Sequence, residues 1–263
     1  VQHRDLVTRA FRHLSADEIP MLYPYIHHPD PQVRTAVACA LREVPRDPQA
    51  LKLLLGMLRD EDEGVCSAAI ESLPLFGDSA MEALSEDALS GDAERRYAAC
   101  WALGQLGPQA VDTLVLLARQ DAPDARSDAF RALGRIGDPR GREAVLAGLQ
   151  DPAPKVRVAA VGALRRLATG DDALVLVDAL ADADTNVRMV AASVAPALMT
   201  GALRQGIVGL LQHDSADVRA AAAQVLRQDG HPSAAPALRK AAAREPEAWV
   251  AEMMEAAAEA ITG

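Results

Sequence analysis

Apolar residues recur along this chain at two scales, one short enough for a helix and one long enough for a repeat. Between Lys155 and Ala168, apolar Val156, Ala159, Ala160, Ala163, Leu164 and Leu167 fall at i, i+3, i+4, i+7, i+8 and i+11. That spacing lines one face of an α-helix. Just upstream, Asp138 to Gln150 (DPRGREAVLAGLQ) predicts another helix, with Ala144, Val145, Leu146 and Leu149 as its apolar positions. Asp151-Pro152-Ala153-Pro154 predicts the turn between them, because proline cannot continue a helix but suits its first turn. Gly170, like Gly107 and Gly137, follows a second helix where a left-handed cap is expected. Leu-Gly-x-Leu/Ile-Gly at 103–107 and 133–137 repeats this stop signal.

The two-helix pattern recurs. A Val-Arg pair with Ala three residues and Leu eight residues after the Val reads Val33-Arg34 to Leu41, Val156-Arg157 to Leu164 and Val218-Arg219 to Leu226. Degenerate copies start at Val65, Arg95, Ala125 and Val187, and a weaker one at Val250. Successive starts are 30 to 32 residues apart over the whole chain, with a mean of 31. A hairpin of that length cannot hide its apolar faces alone, so neighbours must stack into a continuous one-dimensional core. The expected fold is all-α, an α-α superhelix of about eight hairpins in one array over 1–263. The expected units are about 16–45, 46–77, 78–107, 108–137, 138–170, 171–200, 201–230 and 231–263. Residues 1–14, with Leu6, Ala10 and Leu14, predict the second helix of an incomplete first hairpin.

Composition narrows this picture. Half of the 263 residues are apolar and only 3% aromatic, so the core must be built from Ala, Leu and Val, a helix-forming set. The 27 Lys plus Arg against 37 Asp plus Glu give a formal charge of −10, which argues against a nucleic-acid partner because phosphate binding needs cations. Cys39, Cys66 and Cys100 lie far apart and follow no disulfide framework, as expected of a reducing, cytoplasmic compartment. The chain opens at Val1 without an initiator Met or a signal-like stretch, as expected of a processed chain or a portion of a longer one. No uncharged run exceeds the fifteen residues of 189–203, which include Pro196 and Gly201. A bilayer span takes about 20, so no membrane insertion is expected.

Three stretches carry a family resemblance: Asp30-Pro31-Gln32-Val33-Arg34 with Ala36, Ala40 and Leu41; Ala98 to Gly107; and Asp128 to Asp138. With them the chain resembles the HEAT-repeat superfamily, and especially the short bacterial HEAT-like repeats also found in phycobilisome lyases. The resemblance covers residues 16 to 261 and implies a right-handed solenoid whose second helices line a concave face. It says almost nothing about function, since such repeats serve unrelated tasks.

Two constellations stand out. Arg34, Arg96, Arg126, Arg157, Arg188 and Arg219 form a column at one repeat position. It is expected to be structural, with each Arg paired to turn carboxylates such as Asp30, Asp92, Asp121, Asp151, Asp182 and Asp214. The alternative is a ladder gripping an acidic ligand. Counting from the Val position as +0, the core takes +0, +3, +4, +7 and +8, which leaves +2, +5, +6 and +9 facing outward. Those positions hold Tyr97, Cys100, Trp101 and Gly104, then Ser127, Phe130, Arg131 and Gly134. Further on come Val158, Val161, Gly162 and Arg165, then Met189, Ala192, Ser193 and Pro196. Tyr97, Trp101, Phe130, Arg131, Val158 and Met189 therefore form the candidate partner-binding patch, aromatics and Arg being the side chains that dominate interfaces. The alternative places Trp101 and Phe130 between helices as core.

The other polar groups point to no chemistry. Acidic runs at Asp60 to Glu63, at Glu82, Glu86 and Asp87, and at Glu252, Glu255 and Glu259 read as solvated surface. The six histidines have neither metal-ligand spacing nor the repeated His-Glu of HEAT-like deoxyhypusine hydroxylases. Phosphate loops, dinucleotide fingerprints and nucleophile elbows are missing, and Cys100 has no conveniently placed His. No metal, no cofactor and no enzymatic activity are expected. The expected function is a scaffold presenting a concave surface to a protein or peptide. The alternatives are a lyase-type enzyme handling a tetrapyrrole-bearing protein, a HEAT-like alkylpurine DNA glycosylase, which the charge disfavours, and a structural spacer in a longer protein.

Overall fold

The computed structural model of the protein describes residues 14–262, so the stretch 1–13, with Leu6 and Ala10 of the expected incomplete hairpin, lies outside them. All regular structure among the described residues is helical. Contacts gather the chain into two units, 1–119 and 120–263, a division that falls inside the expected unit 108–137.

The first unit opens with a 3₁₀ segment, Ala16–Leu22, and continues with α1 (Tyr23–Ile26), α2 (Pro31–Ala40), α3 (Pro48–Met57) and α4 (Glu63–Ser72). It ends with α5 (Asp78–Ser90), α6 (Ala93–Leu106) and α7 (Val111–Leu117). The second unit holds α8 (Pro123–Ile136), α9 (Arg142–Gly148), α10 (Pro154–Leu167), α11 (Val175–Leu180) and α12 (Thr185–Val194). It closes with α13 (Gly201–Leu210), α14 (Ala216–Asp229), α15 (Ala235–Ala242) and α16 (Ala248–Thr262). Odd-numbered helices are the first of each hairpin and even-numbered helices the second. In the second unit α8, α10, α12, α14 and α16 touch in that order, and each odd helix from α9 onward also touches the even one that follows it. In the first unit α2 touches α4 and α4 touches α6.

Local chemistry sets the helix ends. Asp30, Asp47, Asp62 and Asp184 each accept a backbone N–H of the turn they start, which satisfies donors that have no intrahelical partner. Proline stands at the first position of α2, α8 and α10. Gly137 and Gly230 end α8 and α14 in the left-handed conformation and donate to the carbonyls of Leu133 and Leu226. Gly170 does not follow suit. There α10 ends on an extended Ala168, and Thr169 with Asp172 forms a capping box that starts a 3₁₀ turn, Gly170–Leu174. A side-chain cap here replaces the left-handed glycine that the repeat pattern predicts.

Small residues let the second helices approach closely. A Cβ on Gly134 would sit 2.7 Å from the Cα of Ala163, so α8 and α10 cross with almost no side chain between them. Leu133 and Leu164 beside that crossing are fully buried, and burying a leucine contributes about 1.5–3 kcal/mol.

Candidate interaction surface

The arginine column ties successive hairpins together rather than facing a ligand. Arg157 donates from Nε and Nη2 to both carboxylate oxygens of Asp182, at 2.7 and 2.8 Å, and from Nη1 to the carbonyls of Asp151 and Pro152. Four of the six guanidiniums hold the carbonyls of their own turn and the carboxylate of the next one in this way. Arg34 does this with His28, Pro29 and Asp60. Arg126 does it with Gln120, Asp121 and Asp151, and Arg219 with His213, Asp214 and Glu245.

The carboxylates used differ from the expected set. Asp30 and Asp92 cap their own helices, and Asp121 and Asp214 offer only carbonyls to the column. Asp151 and Asp182 serve twice, with the carbonyl bonded to one Arg and the carboxylate to the Arg of the preceding hairpin. The facing guanidiniums hold both carboxyls below the usual range, Arg126 acting on Asp151 and Arg157 on Asp182. Arg188 differs again: position 213, 25 residues on, is a histidine. Its guanidinium keeps the carbonyls of Asp182 and Ala183 and otherwise reaches Thr185 and, at 3.4 Å, Asp217. Arg96 is half-buried in α6.

A second bridge joins α9 to the 3₁₀ turn that precedes α11. Arg142 on α9 grips both oxygens of Asp172, which also accepts from the backbone and hydroxyl of Thr169. Arg142, helped by Thr169, pulls the Asp172 carboxyl from 3.8 to about 2. A depressed folded pKa means the stabilisation is complete above the ordinary carboxylate range and disappears as pH falls through the folded value. Arg142 is partly in solvent, so the contribution is about 1 kcal/mol. The stability gap between wild type and Asp172→Asn should therefore be constant at neutral pH and close on acidification from about 4 to 2. Urea titrations across that range would reveal an error as a gap that stays constant.

The candidate patch divides. Tyr97 and Met189 are exposed, at 56% and 64%, Arg131 is exposed, and Val158 and Trp101 are half-buried. Phe130 is core, only 3% exposed; its ring lies where a Cβ on Gly148 of α9 would be, 2.5 Å away. Cys100 and Val161, also at +5, are buried too, and Ala192 at +5 is half-buried. At about 100° per residue, +5 lies some 140° from +0, on the shoulder of the apolar stripe. A second helix touches its own first helix and also helices of the adjoining hairpins, so the shoulder is covered and +5 belongs to the core. The free arc holds +6, +9 and +10: Arg131 and Arg135 on α8, Gly162, Arg165 and Arg166 on α10, and Ser193 and Ala197 on α12.

Burial pushes the Cys66 thiol up, and its Sγ donates to the carbonyls of Leu58 and Asp60. Among the described residues no group of His, Cys, Asp and Glu could hold a metal ion, and no helix is long and apolar enough to cross a membrane. The first unit has an open cleft of about 1020 Å³ lined by Tyr23, Lys52, Arg59, Glu61, Asp87 and Arg95 among others. The repeat pattern did not point to it, because most of its walls come from first helices and turns.

The HEAT-repeat profile matches residues 3–74, 78–165, 111–196 and 173–261. The chain belongs to the HEAT-repeat family. Its fold is similar to that of Escherichia coli YibA, at 18% identity over 80% of this chain and 92% of that one, with a TM-score of 0.50. It is also similar to Kap95p, solved with RanGDP, at 17% identity and a TM-score of 0.61. Importin β gives 14% identity and 0.60. The chain aligns over 99% and 98% of its length with these two but spans only 44% and 43% of theirs. No curated protein sequence matches it. These likenesses establish a helical-hairpin repeat fold.

Proposed function

We propose that this HEAT-repeat protein is a non-catalytic scaffold that holds a protein or peptide on the second-helix face of residues 120–263. The observation that carries this reading is the uncovered Met189, more than half exposed beside half-buried Val158 and bare Gly162. Val158 and Met189 are 31 residues apart, one repeat, on the touching helices α10 and α12. Gly162 presents no side chain, and a Cβ there would only just reach Val190, 3.9 Å away. The result is a shallow apolar shelf in an otherwise polar arc, on a fold whose core is complete without it. Isolated apolar residues on a surface need no explanation, whereas neighbouring ones rimmed by charge mark contact sites.

The test is affinity capture from a lysate of the source organism with wild type and with Met189→Asp plus Val158→Asp. The double variant should lose the proteins that wild type retains, with its melting temperature unchanged. Equal retention by both would overturn the reading.

A further inference from the structure

Resting on that reading, we infer that the shelf and its rim select a short, extended, acidic peptide segment that ends in an apolar side chain. The argument begins with an oddity of charge. Acidic residues exceed basic ones by ten, yet Arg131, Arg135 and Arg165 are exposed and make no ion pair among the described residues. Four of the column arginines, in contrast, each grip a carboxylate through two nitrogens.

Helix ends explain only part of the cluster. Arg166 donates to the carbonyl of Arg135 at 2.7 Å and so closes the C-terminus of α8. Arg135 and Arg165 stand in last turns, where the helix dipole favours cations. Arg131 is in the middle of α8 and has no such role.

These side chains share one place. Gly134 abuts Ala163, and Arg166 reaches the backbone of Arg135, so the C-terminal halves of α8 and α10 lie side by side. Arg131 and Arg135 are four residues apart on the same side of α8, and Arg165 stands across from them on α10. Gly162 leaves the space between open, Val158 stands one turn before Gly162 on the same helix, and Met189 lies one helix further along, on α12. Neighbouring helices are about 8–10 Å apart, so α8 to α12 spans about 20 Å, the length of about six extended residues. Acidic side chains would meet the arginines at one end, and an apolar side chain would cover Met189 at the other. Guanidinium–carboxylate pairs supply charge-assisted, bidentate contacts.

Acidic peptide is favoured over nucleic acid. Within residues 120–263 the arginines at +6, +9 and +10 are confined to α8 and α10 apart from Arg227 on α14, and on α16 exposed Glu252 and Glu259 stand at +2 and +9. A phosphate chain continuing along the row would meet that negative charge.

The experiment uses the whole chain and a fluorescein-labelled octapeptide with glutamates in its first half and leucines in its second. Controls are the same peptide with lysine for glutamate and a single-stranded octanucleotide. We expect the glutamate peptide to bind at low salt and weaken as salt rises. Arg131→Glu with Arg165→Glu should weaken it about tenfold or more. Arg227→Glu, two second helices away on α14, should leave it unchanged. Absence of binding, equal binding of the lysine peptide, tighter binding of the octanucleotide, or indifference to the Arg131 and Arg165 changes would overturn the inference. If lysate proteins still depend on Met189 while the glutamate peptide fails, the inference falls and the scaffold reading stands.

Discussion

Phe130→Ala should lower the unfolding free energy by about 3–5 kcal/mol, the range for deleting a buried aromatic ring. Phe130 is 3% exposed and lies against Gly148, whose missing side chain makes the room for it. The pair predicts a sign change. In wild type, Gly148→Ala would push a methyl into the ring at 2.5 Å and into Ala160 at 3.1 Å, an overpacking that destabilises by about 1–3 kcal/mol. In the Phe130→Ala background the ring is gone. The same change should then be neutral or slightly stabilising, since glycine is a poor helix former by up to about 1 kcal/mol. Urea unfolding of the four proteins would measure this, with hydrogen exchange in α8 to α10 showing where the loss falls. Equal destabilisation by Gly148→Ala in both backgrounds would mean that the ring and the glycine do not pack as a pair.

Phe130 also shows where sequence reasoning stops. The period of 31, the prolines opening second helices and the glycines closing them are local signals, so hairpins and most of their ends were readable from the chain. Which shoulder of a second helix is covered depends on helices some 15 to 30 residues away, and a single-helix wheel cannot show that. Such a wheel therefore marks Cys100, Phe130 and Val161 at +5 as surface, whereas they are core. Gly148, short where a neighbour is large, is the matching signal, legible only once α8 and α9 are known to touch. Repetition marks the arginine column in the sequence, but it does not mark the partners. Asp60, Asp151, Asp182 and Glu245 lie 25 or 26 residues beyond their arginines, a spacing fixed by how one hairpin stacks on the next. Arg135 and Arg166 stand at +10, about 20° from core position +3 on the helical wheel, so the period alone does not mark them as outward.

Arg157→Ala should destabilise by about 2 kcal/mol, less than the 3–5 of a fully buried pair because both side chains keep some solvent contact, at 16% and 13%. Three losses coincide: the carboxylate of Asp182 is left without its counter-charge, and the carbonyls of Asp151 and Pro152 lose a donor. Arg157→Lys should recover only a small part, since an ammonium cannot grip both carboxylate oxygens while reaching two carbonyls. Arg188 supplies the internal control. It keeps the two carbonyl contacts but meets no carboxylate at the equivalent place, where the chain has His213, so Arg188→Ala should cost about 1 kcal/mol or less. The difference between the two alanine variants, followed by urea unfolding, isolates the carboxylate bridge, and equal values would refute the ladder as a source of stability. The converse substitution sharpens the test. The His213 ring accepts the backbone N–H of Ser215, just as the Asp182 carboxylate accepts that of Asp184. His213→Asp can therefore keep the turn while giving Arg188 its missing partner. Its stabilising effect, about 1 kcal/mol, should vanish when Arg188 is also alanine.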